Sequence, residues 1–371
     1  MSPHAWFHVE NETDIASPAL LLYRERIEHN LQLMLQIAGG PERLRPHVKT
    51  HKMLTLIQRQ VELGINRFKA STIAEAEMCA AGGAKDILLA MPCVGPNGHR
   101  LARLAEAFPG TQFSAIADDE ATIRTLAAAA QQNQVTLGVF LELDCGMGRT
   151  GILPSNEAAV FLAHVIKDTP KLLFRGLHAY DGHIHDPELE TRRSRCEEAY
   201  VPVLALRERL IGEGVLVSEL VAGGSPTFGV HAAFPDRTLS PGTTVLWDFG
   251  YGDKHPDLPF LPAAILLARV ISKPGADRLT LDLGHKSVAP ENPHPRVRFE
   301  ELPDAEVVMQ SEEHLVLKTD RAHEFQIGQA LHGIPRHICP TVSMYGEAVV
   351  IEDGRSSQRW TVTARNRRIT Y

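Results

Sequence analysis

The chain has 371 residues, of which 44% are hydrophobic and 22% are charged, and its formal net charge at pH 7 is −7. This is the composition of a globular protein with a sizeable core, which excludes a chain dominated by disorder. The acidic balance and the lack of a long basic run argue against nucleic acid or an anionic membrane surface as a partner, so we expect a small-molecule partner.

The cysteines and the start of the sequence indicate a reducing compartment. The chain has five cysteines, an odd number, with no CxxC pair, which argues against a disulfide framework. The first residues, MSPHAWFHVENETDI, have neither the basic region nor the apolar region of a signal peptide. No stretch reaches the roughly 18 uninterrupted apolar residues of a membrane-spanning helix. We therefore expect a cytoplasmic protein that does not cross a membrane.

A helix followed by alternating strands and helices is predicted for most of the chain. Residues 23–40, YRERIEHNLQLMLQIAGG, have helical spacing and end on a glycine pair suited to a C-cap. Eight β-rich runs follow, in chain order RPHVKTH, RFKAST, DILLAMP, QFSAIAD, TLGVFLELD, FRGLHAYDGH, ELVAGGSP and TTVLWDF. Most gaps are helical in pattern, as in TIAEAEMCAAGG and DDEATIRTLAAAAQQN, where Asp118 and Asp119 are candidate caps. This alternation predicts an α/β fold, a closed (β/α)8 TIM-type barrel.

The pattern changes after Tyr251. Runs such as AAILLARVISK, RLTLDLG and AVVIEDG read as alternating strands separated by Gly, Pro and Asp. They predict a C-terminal β domain at residues 251–371, following a barrel at residues 21–250. We expect residues 1–20, which precede the barrel, to pair with the β domain.

The stretch RPHVKTHKM, residues 45–53, places Lys49 between two histidines. In an extended strand His47, Lys49 and His51 would point to one face, because side chains alternate. An exposed edge strand with solvated charges is the other interpretation of this stretch. Strand ends of a barrel meet at one mouth, so Lys49 has to be considered together with the polar residues that follow later strands.

Polar residues and glycines follow the fifth, sixth and seventh predicted strands. They are Arg149 in DCGMGRTG, His178, Tyr180 and His183 in HAYDGHIH, and Gly223, Gly224, Ser225 and Thr227 in GGSPT. The backbone N–H groups and hydroxyls of GGSPT suit an anion cradle, although an ordinary turn uses the same residues. A second loop adds Gly242 and Thr243. A lysine and a phosphate cradle at one mouth suggest pyridoxal 5'-phosphate bound covalently to the lysine.

Six segments across nearly the whole chain resemble the D-threonine aldolase and D-serine dehydratase group. In chain order they are SPALLLYRERIEHN, RPHVKTHK, DCGMGRTG, HAYDGH, GGSPT and PRHICPT. The resemblance implies an alanine racemase type of fold, fold-type III, in which a pyridoxal-phosphate barrel precedes a β domain and a homodimer completes the active site. It also implies that Lys49 carries the cofactor, that Arg149 and Tyr180 lie on its ring, and that residues 223–227 take its phosphate.

The segment IPRHICPTVSMYGEA contains His337 and Cys339, which the resemblance identifies as a metal site. On an extended strand this spacing puts the imidazole and the thiolate on one face, and both ligand types suit Zn²⁺. A buried cysteine beside a hydrogen-bonded histidine is the alternative without a metal. The resemblance favours a divalent metal, zinc or else manganese or magnesium, and extends to a segment with Glu313 and His314. Other histidines, His231 among them, are interpreted as surface or packing residues.

These parts predict a lyase acting on D-3-hydroxy amino acids, with Lys49 and His337 as catalytic residues. Loss of the β-hydroxyl proton leads to cleavage of Cα–Cβ into glycine and an aldehyde, whereas loss of the Cα proton leads to departure of the hydroxyl, giving a keto acid and ammonia. Similarity from SPALLLY to KASTIAEAEM favours D-threonine aldolase, while the His-x-Cys pair resembles the zinc-bearing dehydratases. A racemase and a protein that only binds pyridoxal phosphate are the remaining alternatives.

Overall fold

The computed structural model describes residues 5–371, whose contacts divide the chain into two units. The first unit comprises the residues up to Leu33, the short piece Thr50–Lys52 and Thr243–Arg365. The second comprises Met34–Lys49, Met53–Gly242 and Asn366–Tyr371. The domain boundaries expected at residues 20 and 250 stay predictions, because a division by contacts is not a test of which segments fold separately. Residues 1–4 lie outside the described part of the chain.

The elements are numbered in chain order. The strands are β1 (Ala19–Tyr23), β2 (Arg67–Ala70), β3 (Asp86–Leu89), β4 (Gln112–Ala117), β5 (Leu137–Leu143), β6 (Leu172–Ala179), β7 (Glu219–Ala222), β8 (Thr238–Leu239), β9 (Ala264–Gly275), β10 (Arg278–Leu281), β11 (Val297–Phe299), β12 (Glu306–Gln310), β13 (Leu315–Lys318), β14 (Ala330–Pro335), β15 (Glu347–Glu352) and β16 (Arg355–Thr361). The helices are α1 (Arg24–Ala38), α2 (Leu54–Glu62), α3 (Ile73–Ala81), α4 (Asn97–Ala107), α5 (Glu120–Gln132), α6 (Glu157–Asp168), α7 (Leu189–Gly212), α8 (Phe228–Ala232), α9 (Phe249–Gly252) and α10 (Ile338–Val342).

The second unit is built on a parallel sheet in the order β2 to β8. Residues 44–48 lie between its two edge strands, because Leu44 forms a bridge with Leu239 of β8 and His47 forms one with Lys69 of β2. The N–H of Val48 also donates to the carbonyl of Lys69 at 2.9 Å. This segment takes the eighth position and closes the sheet. The predicted (β/α)8 barrel is confirmed, and the alternative of an exposed edge strand for residues 45–51 is wrong.

The eighth predicted strand, TTVLWDF, is wrong. Thr243–Val245 form a 3-10 helix, Trp247 has a positive φ of 50°, and Asp248 caps α9. The last strand of the sheet, before residues 44–48 close it, is instead the two-residue β8. Leu246 and Trp247 are buried by packing and not by strand pairing. A run of β-branched and aromatic residues indicates that a segment packs well against an apolar surface. Such packing is also possible without strand pairing.

The predicted helices are confirmed, but of the two candidate caps only Asp119 is one, because Asp118 accepts the N–H of Gly151 instead. Thr72 caps α3 by accepting the N–H of Glu75, and Asp119 caps α5 by accepting the N–H of Thr122. Helix α1 ends one residue before Gly39, whose φ of +78° is one that glycine adopts without strain. Among residues 5–371, no helix is long and apolar enough to cross a membrane.

A buried ion-pair network lies at the N-terminal ends of the barrel strands. The Arg45 guanidinium, with no exposed side-chain surface, donates to both oxygens of Asp86 and both of Glu219 at 2.9–3.0 Å. Burial by itself would raise the pKa of Asp86, but Arg45 holds that pKa below its usual value. Asp86 begins β3 and Glu219 begins β7, so the ion pairs with Arg45 connect these two strands at this end of the barrel.

The first unit contains the predicted β domain as a sheet in the order β12, β13, β10, β9, β1, β15, β16, with β14 pairing β9 and β11. Strand β1 lies between an antiparallel neighbour, β9, and a parallel one, β15. All five of its residues are buried, and Leu21 belongs to a core cluster with Ile265 and Val349. The first strand of the sequence is therefore a central strand of the sheet formed by the last hundred or so residues.

Candidate active site

Lys49 lies in a turn directly after the segment that closes the barrel. Residues 48–51 form this turn, and the N–H of Lys49 lies 3.4 Å from Nδ1 of His47. The prediction that His47, Lys49 and His51 share one face of a strand is wrong, because extended backbone ends at His47. The turn leaves the Lys49 side chain half-buried at the C-terminal side of the barrel segment.

Three basic side chains lie near the Tyr180 ring, which follows β6. The Nζ of Lys49 lies 6.0 Å from its centroid, the Nζ of Lys69 lies 5.6 Å away, and the Cζ of Arg149 lies 4.9 Å away. The structure thus brings together Lys49, Arg149 and Tyr180, as expected from the sequence. An aromatic face attracts cations through its quadrupole, so the ring also stabilises this group of positive charges.

Lys69 is a member of the cluster that the sequence reasoning missed. It comes from β2 and is buried, and its Nζ lies 3.5 Å from Nε2 of His178. The Nδ1 of His178 forms a short hydrogen bond with Oε2 of Glu142. Burial and the nearby charge of Lys49 lower the pKa of Lys69 to about 7. The available signal was a lysine placed between Phe68 and Ala70 in the buried run RFKAST.

The glycine-rich loop after β5 is folded by a carboxylate and presents Arg149. Asp144 accepts the N–H of Gly146 at 2.9 Å and that of Gly148 at 3.0 Å. Both glycines have positive φ values, 119° and 64°, which only glycine adopts readily. The motif DCGMGRTG is therefore a compact loop whose shape places the Arg149 guanidinium over the Tyr180 ring.

The loop of residues 223–227 follows β7 and packs against Tyr180. A Cβ on Gly224 would lie 2.9 Å from Cε2 of Tyr180, so glycine is required for this approach. The N–H of Gly223 donates to the Tyr200 hydroxyl at 3.2 Å and that of Gly224 to the Thr227 hydroxyl at 3.3 Å. The hydroxyl of Ser225 accepts the N–H of Gly242 at 3.1 Å. The two predicted loops thus meet, and the two glycine N–H groups point into the protein.

A buried group of metal-type ligands lies beneath this loop. One ligand atom each from Asp181, Cys196 and His231 lies within 4.8 Å of the others, and within residues 5–371 no other group of three or more meets this spacing. His231 is fully buried, and its Nε2 lies 2.7 Å from Oδ2 of Asp181. Its Nδ1 lies 2.7 Å from Nη1 of Arg237. The interpretation of His231 as a surface or packing residue missed this hydrogen-bonded role.

In the first unit, His337 and Cys339 contact each other, but not through strand geometry. His337 is the N-cap residue of α10 and Cys339 lies in its first turn, so the expected extended strand is wrong. The Sγ of Cys339 lies 3.1 Å from the Thr50 hydroxyl and 3.4 Å from the Thr243 hydroxyl. Oε1 of Glu291 lies 2.6 Å from Nδ1 of His337.

Each of the two side chains favours the charged form of the other. Burial by itself would lower the pKa of His337, but its hydrogen bonds with Cys339 and Glu291 raise that pKa to about 9. Burial would raise the pKa of Cys339, but the His337 imidazolium holds it below its usual value. An imidazole and a cysteine sulfur, two ligand types that suit a soft cation, are therefore next to each other.

Asp248 fixes the backbone between these two residues. Its carboxylate is buried and accepts the N–H of Tyr251 at 2.9 Å and that of Ile338 at 3.0 Å. Burial raises the pKa of Asp248 to about 6. Glu313, expected near the metal, is exposed and lies 3.5 Å from Lys286, and neither it nor His314 joins a ligand group with His337 among the residues described.

Comparison with known families agrees with this architecture. The family model of the alanine racemase N-terminal domain matches residues 23–244. The model of a putative serine dehydratase domain matches residues 263–351.

Curated relatives and solved structures match over most of the chain. The chain is 30% identical to D-threonine aldolase of Arthrobacter sp, covering 95% of this chain and 93% of that protein. It is 30% identical to 3-hydroxy-D-aspartate aldolase of Paracoccus denitrificans (strain Pd 1222), covering 96% and 94%. D-threo-3-hydroxyaspartate dehydratase of Delftia sp. (strain HT23) is 30% identical over 52% of this chain and 48% of its own. The crystal structure of D-threonine aldolase from Filomicrobium marinum aligns with a TM-score of 0.88 at 27% identity, covering 95% and 96%.

Proposed function

Because the chain belongs to the family of the alanine racemase N-terminal domain, we propose that it is a lyase that cleaves D-3-hydroxy amino acids between Cα and Cβ. The family predicted from the sequence is confirmed. The observation that carries the proposal is similarity over the full length to two aldolases acting on such substrates, at 30% identity each. The products are glycine and an aldehyde, and for D-threonine the aldehyde is acetaldehyde.

The barrel unit has residues that fit pyridoxal 5'-phosphate. Lys49 would carry the cofactor covalently, Tyr180 and Arg149 would lie on its ring, and Ser225 would contact its phosphate. The support is the set of cations at the Tyr180 ring and the close approach of Gly224 to that ring. The N–H groups of Gly223 and Gly224 already donate to buried hydroxyls, so these glycines shape the loop. When bound, pyridoxal phosphate withdraws electrons from the bonds at Cα.

The first unit has a donor pair that fits a divalent metal. His337 and Cys339 would hold it, and imidazole with thiolate favours zinc over magnesium, which prefers oxygen ligands. Glu291 would fix the imidazole by occupying Nδ1, as carboxylates commonly do for metal-binding histidines. A metal at this pair supplies Lewis-acid polarisation of a hydroxyl oxygen.

The chain's own residues must also manage protons during cleavage. The β-hydroxyl loses its proton and Cα gains one, so one acceptor and one donor are needed. Lys49 and His337 are the proposed catalytic residues: Lys49 would take part in proton transfer, and His337 would act by holding the metal that polarises the hydroxyl. The homodimer and the cytoplasmic location stay proposals that rest on the resemblance and on the cysteine pattern of the sequence.

A dehydratase is the second candidate. Cys339 at the proposed metal pair favours it, because the His-x-Cys pair resembles the zinc-bearing dehydratases more than the aldolases. The partial match to D-threo-3-hydroxyaspartate dehydratase is consistent with this. In that reaction the hydroxyl departs and the products are a keto acid and ammonia.

An assay of all products from one substrate panel tests the proposal. Purified protein with pyridoxal phosphate and zinc is given D-threonine, D-phenylserine, D-serine and D-3-hydroxyaspartate, with the L-forms as controls. We expect aldehyde and glycine in equal amounts from D-threonine and no turnover of L-threonine. Ammonia with 2-oxobutanoate and no acetaldehyde would make the protein a dehydratase, and interconversion of D- and L-forms would make it a racemase.

A further inference from the structure

A fully buried chain of hydrogen bonds connects Arg237 to the loop of residues 223–227. The Nη1 of Arg237 lies 2.7 Å from Nδ1 of His231, and Nε2 of His231 lies 2.7 Å from Oδ2 of Asp181. The Thr227 hydroxyl donates to Oδ1 of Asp181 at 2.9 Å. Each of these four side chains exposes 3% of its surface or less.

The donor and the acceptor of each hydrogen bond in this network can be assigned by starting from Arg237. The Arg237 guanidinium has only donors, so Nδ1 of His231 accepts and Nε2 carries the proton that is donated to Asp181. The carboxylate then accepts from both His231 and Thr227. Burial would raise the pKa of Asp181, but these donors hold it below its usual value, which keeps the carboxylate ionised. The imidazole of His231 therefore lies between two buried side chains of opposite charge, Arg237 and Asp181.

The same atoms argue against a metal at Asp181, Cys196 and His231. The 2.7 Å contact between Nε2 of His231 and Oδ2 of Asp181 is a hydrogen-bond distance, and it is too short for two ligands placed around a tetrahedral zinc. A metal on Nε2 would also stand close to the positive Arg237, which lies on the other ring nitrogen.

The network ends on the backbone of the loop. The Thr227 hydroxyl accepts the N–H of Gly224 at 3.3 Å, and the Thr227 carbonyl accepts the N–H of His231 at 2.9 Å. A Cβ on Gly223 would lie 2.4 Å from Cδ2 of His231, so the loop rests directly on the imidazole. Thr227 is thus a connector between Asp181 and the turn.

We propose that Asp181, His231 and Arg237 form a positioning network that, through Thr227, holds the loop of residues 223–227 in the shape that binds a phosphate monoester. The Thr227 hydroxyl holds the loop through its hydrogen bonds with Asp181 and Gly224, and it is not a phosphate ligand. This inference rests on the proposed function, in which the loop takes the phosphate of the cofactor. The consequence is that these residues set the preference of the protein for phosphorylated over unphosphorylated pyridoxal.

The test compares binding of pyridoxal 5'-phosphate and pyridoxal by absorbance titration, with inorganic phosphate as a competitor. We expect Thr227→Val to weaken binding of pyridoxal 5'-phosphate about tenfold, while binding of pyridoxal changes less than twofold. Thr227→Ser retains the hydroxyl and should have the wild-type ratio of the two dissociation constants, that for pyridoxal over that for pyridoxal 5'-phosphate. Asp181→Asn offers a second disruption, since its amide would oppose the Nε2 proton of His231, and it should lower the ratio at least as much.

The matched control is Thr122→Val, which removes a buried hydroxyl bonded to Asp119 at the start of α5. It should leave the ratio unchanged even where it lowers the melting temperature. A wild-type ratio retained in Thr227→Val and Asp181→Asn would overturn the positioning network alone. A wild-type protein that binds both pyridoxal forms equally would overturn the cofactor assignment itself. Stoichiometric zinc that disappears in Cys196→Ala would overturn the network in favour of a metal.

Discussion

Lys49 and Lys69 place their Nζ atoms 6.0 and 5.6 Å from the centroid of one ring, that of Tyr180. Lys69 is buried whereas Lys49 is half-buried, so the two amines have different environments within one cluster. The accessible amine is the proposed carrier of the cofactor, and the buried one is held by His178.

Lys49→Ala should abolish covalent cofactor binding. The wild-type protein with pyridoxal phosphate should be yellow, and borohydride should fix the cofactor on Lys49, as measured by peptide mapping. Lys286→Ala, at an exposed lysine paired with Glu312, is the matched control and should be labelled as the wild type is. A label found on Lys69 or Lys52 of the wild-type protein would contradict the assignment of Lys49.

Lys69→Met should change how stability depends on pH. The pKa of Lys69 falls from 10.5 to about 7 on folding, so the unfolded chain binds the extra proton between these values. The free energy of unfolding of the wild type therefore falls as pH falls from 10 to 7, by up to about 1.4 kcal/mol per pH unit from this group. In the variant this contribution is absent. Denaturant unfolding of both proteins at several pH values measures the difference, and parallel curves would show that Lys69 is not the group responsible.

Arg45→Met should strongly destabilise the barrel. It leaves the carboxylates of Asp86 and Glu219 buried without their main partner, and breaking a buried pair in this way costs about 3–5 kcal/mol. Arg59→Met removes a partly exposed arginine paired with Glu62 within α2 and should cost less than about 1 kcal/mol. Urea unfolding measures the loss of unfolding free energy in each variant. Equal losses would show that burial does not make the Arg45 ion pairs more important for stability than the exposed pair.

His337→Ala and Cys339→Ala should each remove bound zinc. Glu291→Gln keeps both ligands but loses the carboxylate on Nδ1 of His337, and we expect a 10- to 100-fold weaker zinc affinity. The control is His164→Ala, at a surface histidine that lies 3.0 Å from Glu213. Metal analysis after dialysis against graded chelator measures all four variants. Zinc content unchanged in both ligand variants would place the metal elsewhere.

Gly224→Ala should weaken cofactor binding, because the new Cβ would lie 2.9 Å from the Tyr180 ring and displace it. Gly212→Ala is the matched control, since a Cβ there meets nothing within 4 Å. We expect the dissociation constant for pyridoxal phosphate to rise at least tenfold in the first variant and to stay unchanged in the second. Equal affinities in absorbance titrations would show that the loop accommodates the methyl group.

Local patterns in the sequence predicted most of the order of the elements and several residues of the cluster at the Tyr180 ring. Thr72 and Asp119 cap helices within three residues of their partners, and the glycines of DCGMGRTG and GGSPT mark loops because their φ values or close contacts require glycine. Strand ends of a parallel barrel converge, so residues following successive strands meet whatever their distance along the chain. Lys49, Arg149 and Tyr180 could be grouped for this reason.

Only the tertiary structure decided which polar groups are buried and what they face. Lys69 and His178 are 109 residues apart, and His231 meets Asp181 across 50 residues, so neither contact leaves a local pattern. The run TTVLWDF has strand propensity, but packing holds it in a 3-10 helix and a turn. His337 and Cys339 meet through the first turn of a helix and not through a strand. Propensity reflects a few neighbouring residues, whereas burial and ionisation depend on partners that only the folded chain supplies.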